Sequence, residues 1–94
     1  MSKSIIQDEK VCYRCGTPFG LHRHHIVFGV GRRKHSDEDG LTVWLCYEHH
    51  LGKTGVHNDK VFDLALKRIA EEKWLYVYDK TVKDWIKRYD RNYL

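Results

Sequence analysis

The chain has 94 residues, enough for one small domain whose single apolar core leaves a thin stability margin. It carries no apolar run long enough to span a bilayer, and its first ten residues lack a signal-peptide core, so a cytoplasmic protein is expected. A net charge of +4 leans modestly toward a polyanionic partner, and three cysteines in a reducing compartment read as metal ligands before disulfide partners.

Residues 1–10 are polar and read as a loose lead-in. Cys12-Tyr13-Arg14-Cys15-Gly16 follows, a Cys-x-x-Cys turn closed by glycine. His22 to Phe28, with Leu21 before it and Ile26, Val27 and Phe28 within it, suits a strand. Gly29 to Gly40 is polar with glycine at both ends and reads as a long loop. Leu41-Thr42-Val43-Trp44-Leu45 is β-branched and aromatic, which predicts a second strand. A short helix is expected from about Glu48 to Leu51, broken at Gly52 and Gly55. Asn58 is the expected N-cap of the next helix, with Asp59 in its first turn. Phe62, Ala65, Leu66, Ile69 and Ala70 recur at helical spacing to about Lys73, with Trp74 to Tyr78 an extension or a connector. Thr81 to Asp84 has the form of a capping box for a last helix with Val82, Trp85, Ile86, Tyr89 and Tyr93 on one face.

Six of the seven histidines lie in three segments: His22-Arg23-His24-His25, His49-His50, and His57. Cys46-Tyr47-Glu48-His49 repeats the x-x spacing of the first cysteine pair. Together Cys12, Cys15, Cys46 and His49 make a Cys₃His set suited to a closed structural zinc site. Successive residues on a strand face opposite ways, so His24 and His25 are assigned different tasks. Adjacent helical residues diverge by roughly 100°, so His50 can face the hairpin while His49 faces the cysteines. His24, His50 and His57 then form a second, open site of the kind a catalytic ion uses. His22 and His35 read as surface or phosphate-contacting residues.

The pattern Cys-x-x-Cys, His24-His25-Ile26, long loop, Leu45-Cys46-x-x-His49-His50 and later His57 resembles the HNH endonucleases of the ββα-metal (His-Me finger) type over about residues 11–59. The tail from Trp85 to Leu94 is similar to that of small phage-encoded HNH proteins. The resemblance implies one α+β domain over residues 1–94: a ββα-metal core with a zinc knuckle at 11–59, then two C-terminal helices in 60–94. It implies DNA phosphodiester hydrolysis, with His25 as general base and a divalent ion (Mg, Mn, Ni, Co or Zn) on His24, His50 and His57. It also implies a phage or bacterial setting. With one active site per chain, a monomer is expected to nick, and a homodimer could cut both strands.

The family's middle asparagine has no counterpart between Cys15 and Cys46, and Asp37 or Asp39 is the expected substitute beside the base. Arg23, Arg32, Arg33 and Lys34 are expected to contact DNA phosphates. Lys83, Lys87, Arg88 and Arg91 read as the solvent side of the last helix. Two other readings compete: a non-catalytic zinc module that binds nucleic acid, and a small subunit docking through its aromatic helices.

Overall fold

The computed structural model describes residues 3–94. A two-stranded antiparallel sheet pairs β1 (Leu21–His25) with β2 (Thr42–Cys46), in the register His22 to Leu45, His24 to Val43 and His25 to Thr42. Four helices complete an α+β fold: α1 (Arg32–Asp39), α2 (Tyr47–His50), α3 (Lys60–Val77) and α4 (Val82–Tyr89). The register puts His24 opposite Val43, and both are buried. Alternation along β1 separates its polar residues: His22 and His24 meet His50, while Arg23 and His25 meet Asp37.

The expected lead-in is tied down. Ser4 Oγ donates to the Thr42 carbonyl at 2.5 Å, the Ile5 N–H to Gly40 O at 2.9 Å, and the Trp44 N–H to Gln7 Oε1 at 2.8 Å. The Tyr13 N–H donates to Trp44 O at 2.7 Å. The outer edge of β2 thus spends its backbone groups on the N-terminal segment instead of leaving them open to another chain. Gly40 has φ +74°, and a Cβ there would run into the Lys3 carbonyl, so the glycine is needed for both its backbone and its bareness.

The stretch expected as a loop, residues 29–40, contains α1. Its sequence, Arg-Arg-Lys-His-Ser-Asp-Glu-Asp, has no apolar stripe, so periodicity does not announce it. Polar contacts hold it instead. Ser36, fully buried, donates through Oγ to Val27 O at 2.5 Å and accepts from the Val27 N–H at 3.1 Å. Gly40, in the left-handed region, closes the helix with its N–H toward the Asp37 and Ser36 carbonyls. On the other side, Asp39 accepts from Trp74 Nε1 at 2.8 Å, Arg88 Nε at 2.6 Å and Tyr89 Oη at 2.7 Å. His35 Nδ1 reaches the Arg88 carbonyl at 3.2 Å, and Arg32 pairs with Asp90. These contacts fasten α1 to the C-terminal helices.

The N-cap of α3 is Asp59, whose carboxylate accepts from the Val61 and Phe62 N–H groups at 3.0 and 3.1 Å. Asn58, the expected cap, instead donates from its amide to Gly52 O at 2.9 Å. The helix continues past Lys73 through the aromatic segment, burying Leu66, Ala70 and Trp74. The capping box before α4 is present, with Thr81 Oγ1 accepting from the Asp84 N–H and the Asp84 carboxylate from the Thr81 N–H. Only Trp85 and Tyr89 of its apolar face are buried; Val82 and Ile86 stay exposed. Trp85 and Tyr89 lie 4.2 Å apart between ring centroids, and Trp74 meets Trp85 edge-on at 5.5 Å. Ile26, Val27, Leu41, Val43, Leu45 and Val56 join them in the core. No helix among the described residues is long and apolar enough to cross a membrane.

Candidate metal centres

Among the described residues, two groups of side chains converge closely enough to hold an ion: Cys12, Cys15, Cys46 and His49, and His24, His50 and His57. The first forms where the 12–16 turn meets the junction of β2 and α2. The Gly16 N–H donates to Cys12 O at 2.8 Å, and Gly16 takes φ +79° to close the turn. Cys12 Sγ lies 3.6 Å from His49 Nδ1, Cys46 Sγ lies 3.4 Å from the same nitrogen, and Cys15 Sγ lies 3.9 Å from Cys46 Sγ. Ligands around tetrahedral zinc should be separated by about 3.8 Å for two sulfurs and about 3.6 Å for a sulfur and a nitrogen, from bond lengths of about 2.3 and 2.0–2.1 Å. These three separations match the edges of a tetrahedron of the size a zinc ion needs.

Cys12 is also electrostatically prepared. Burial alone would raise Cys12, but N–H groups of Cys46, Cys15 and Arg14 and the His49 ring outweigh it and bring its pKa down to about 6. Cys15 moves the other way. The Thr17 N–H lowers it, yet desolvation and the neighbouring Cys12 and Cys46 sulfurs leave it raised.

The second group is a triangle of rings. Centroids of His24 and His50 are 5.3 Å apart, His24 and His57 5.2 Å, and His50 and His57 4.8 Å. Nε2 of His50 and Nε2 of His57 approach to 3.1 Å, close to the separation of two nitrogens each about 2.1 Å from one ion. His24 Nε2 is buried with no hydrogen-bond partner among the described residues. A cation held by the three rings would satisfy such a nitrogen, so this donor set fits a divalent metal. Burial, with the neighbouring His50 and His57, holds His24 at a pKa of about 3. Burial with His57 and His22 holds His50 at about 4. Both are thus neutral at pH 7, the form that ligates.

Local chain geometry explains how His57 arrives. The turn after α2 folds back so that the Val56 N–H donates to His49 O at 2.8 Å and the His57 N–H to His50 O at 3.4 Å. A Cβ on Gly55 would sit 2.7 Å from the His50 carbonyl, so only glycine permits this return.

His24, His50 and His57 line a cavity of about 270 Å³ together with Arg23, His25, Phe28 and Arg33. His25 Nε2 faces Asp37 Oδ1 at 3.2 Å, and Arg33 Nε donates to His25 Nδ1 at 3.4 Å. Asp37 can only accept when ionised, so the ring proton belongs on Nε2 and the lone pair on Nδ1. The His25 hydrogen bond and, secondarily, the charge of Arg23 at 3.5 Å hold the Asp37 carboxyl below the usual aspartate range.

Of the two candidate aspartates, Asp37 stands at His25; Asp39 is engaged with Trp74, Arg88 and Tyr89. Of the four basic residues singled out, Arg23 and Arg33 line the cavity, Arg32 is paired with Asp90, and Lys34 is exposed on α1. Arg88, read from sequence as solvent-facing, pairs with Asp39 and Glu38. His22 and His35, expected at the surface or on phosphates, and Phe28 take other places. His35 ties α1 to α4, His22 Nδ1 lies 2.9 Å from His50 Nδ1, and the Phe28 ring packs 5.2 Å from His57 and 5.9 Å from His24. Only the alternation along β1, which puts His22 on the face of His24, could have pointed to His22.

Comparison with protein-family models, with curated proteins and with solved structures finds no match to this chain.

Proposed function

We propose that the protein is a metal-dependent endonuclease of the HNH, ββα-metal type that hydrolyses DNA phosphodiester bonds, with His25 as general base. The observation that carries the reading is the position of His25. Its ring shares one cavity with the three converging histidines, and Asp37 holds its Nε2. A divalent ion held by His24, His50 and His57 supplies, when bound, Lewis-acid stabilisation of the charge that grows on the phosphoryl and leaving oxygens.

The chain's own side chains do the rest. Asp37 accepts the Nε2–H of His25 and leaves the Nδ1 lone pair to take a proton from water. As that proton arrives, Asp37 stabilises the imidazolium it creates, which is the role of the orienting acid in other acid–base pairs. The water oxygen then bonds to phosphorus as the P–O3′ bond breaks, and the leaving 3′ oxygen takes a proton from solvent, giving 5′ phosphate and 3′ hydroxyl ends. Arg33 now donates to the nitrogen that must accept the proton, so a substrate phosphate has to draw its guanidinium away first. Arg23 lines the same cavity, and Phe28 forms its apolar wall and sheds water from it. Zinc on Cys12, Cys15, Cys46 and His49 would be structural, since that set leaves no open position. With one such site per chain, a monomer nicks.

Relaxation of supercoiled plasmid tests the reading. Metal-stripped protein is given back Mg, Mn, Ni, Co or Zn, with His25→Ala purified alongside. Open circle formed only with metal, and lost in the variant, supports the nuclease. No conversion with any ion, from protein that holds both metals, leaves the non-catalytic nucleic-acid-binding module as the better reading.

A further inference from the structure

One ring touches the histidine triangle without lining its cavity. His22 Nδ1 lies 2.9 Å from His50 Nδ1, with the two ring planes at 80°, and the Tyr47 ring stands nearly perpendicular to His22 at 6.1 Å between centroids. The sheet fixes this contact. His22 and His24 are two residues apart on β1 and share a face. His22 pairs with Leu45, next to the Cys46 that opens the helix carrying His50.

The contact bears on which nitrogen of His50 is free. A neutral imidazole has one N–H and one lone pair. His50 Nε2 is the nitrogen that faces the triangle, 3.1 Å from His57 Nε2. For Nε2 to offer a lone pair, the hydrogen has to sit on Nδ1, and a half-buried Nδ1–H needs an acceptor. Nδ1 of His22 is in place to be that acceptor. The opposite polarity, with His22 donating, would put the His50 hydrogen on Nε2, aim it at His57, and remove one donor from the triangle.

We propose that His22 is a positioning residue that holds His50 as its Nδ1–H tautomer, so that His50 Nε2 serves as a metal ligand. The proposal rests on the reading of His24, His50 and His57 as an ion site, but not on nuclease activity. Ligating histidines are generally braced through their second nitrogen by a carboxylate, a carbonyl or water, and loss of the brace weakens metal binding by about 10–100-fold. Here another imidazole takes that place.

The test separates the acceptor from the bulk of the ring. His22→Phe keeps a ring and has no acceptor; His22→Asn offers an amide oxygen. Wild type and both variants are prepared with one zinc per chain, which also reports that the Cys site and its surroundings have folded. Each is then titrated with Co²⁺ and followed by calorimetry and by the visible absorption of cobalt. The expected result is cobalt affinity in His22→Phe weaker by about 10–100-fold and in His22→Asn within a few-fold of wild type. Unchanged affinity in His22→Phe overturns the proposal, as does an equal loss in both variants, because the acceptor would then not be what matters. Wild-type protein that takes up no cobalt beyond its zinc overturns the ion site itself, and this proposal with it. The wild-type titration therefore tells the two failures apart.

Discussion

Asp37 and His25 are held against each other at 3.2 Å by two different elements, the aspartate on α1 and the histidine at the end of β1. In the proposed reaction the pair acts as a unit, with Asp37 setting the ring's tautomer and His25 accepting the proton. Asp37→Ala should therefore lower kcat by roughly 10²–10⁴-fold, the range for losing a positioned base. The double variant Asp37→Ala/His25→Ala should be no slower than His25→Ala alone, since residues that work together are not additive. Plasmid-nicking rates of the three proteins, at equal metal content, check this. A double variant much slower than His25→Ala would mean that Asp37 acts independently of the ring.

Asp39 holds that arrangement from behind. Its carboxylate takes hydrogen bonds from Trp74, Arg88 and Tyr89, and the Tyr78 hydroxyl donates to its backbone carbonyl at 2.8 Å. Removing it leaves an indole N–H and a phenol without their acceptor, and a half-buried guanidinium with Glu38 alone. Asp39→Ala should destabilise the protein by about 2–4 kcal/mol, read as a lower urea midpoint. Metal content at the histidine triangle should be retained, because neither α1 nor α4 supplies a ligand to it. A change within about 0.5 kcal/mol would show that water replaces the carboxylate at no loss.

Much of this site is readable in the sequence because metal ligands are constrained by chemistry. Cys12 and Cys15, or Cys46 and His49, reach one ion only at short fixed spacings, and the alternation of a strand separates His24 from His25. Helix α1 was not readable, because a buried serine and ion pairs hold it where an apolar stripe would have been visible. Missing the helix also hid the choice between the aspartates. Two positions apart on a helix is a turn of roughly 200°, so Asp37 and Asp39 must face opposite ways. His22 and His35 depended on contacts with residues 28 and 53 positions away, which no local pattern carries.

Zinc removal should unfold more than the knuckle. Cys46 is both a predicted ligand and the N-cap residue of α2, which bears His49 and His50. Structural zinc contributes on the order of 10 kcal/mol in small domains, as much as the whole margin of a chain this size. Cys12→Ala, which deletes the buried thiol, should lose the bound zinc and most cooperative thermal unfolding. Cys15→Ala, which deletes the exposed one, should keep the fold with weaker zinc binding. Metal analysis and calorimetry distinguish the two, and a Cys12→Ala protein melting like wild type would show that the site is not structural.

The histidine triangle should make the protein acid-sensitive when it lacks an ion there. His24 and His50 have folded-state pKa values of about 3 and about 4, below the ordinary histidine value near 6.5, with desolvation the leading cause in each. Between those limits the unfolded chain binds more protons than the folded one, so stability rises with pH. It is complete above about pH 6.5 and falls as the pH drops toward the folded values. For a group buried as His24 is, the slope is at most about 1.4 kcal/mol per pH unit. Urea midpoints of zinc-loaded, otherwise metal-free protein between pH 7.5 and 5 should show this decline, and His24→Gln should flatten it. Asp37 and Asp84, whose pKa values are held low, contribute a separate loss only as the pH nears the carboxylate range. Filling the triangle with Co²⁺ should move the decline to lower pH, because protons and the ion then compete for the same nitrogens. A slope in His24→Gln equal to that of wild type would assign the acid sensitivity to other groups.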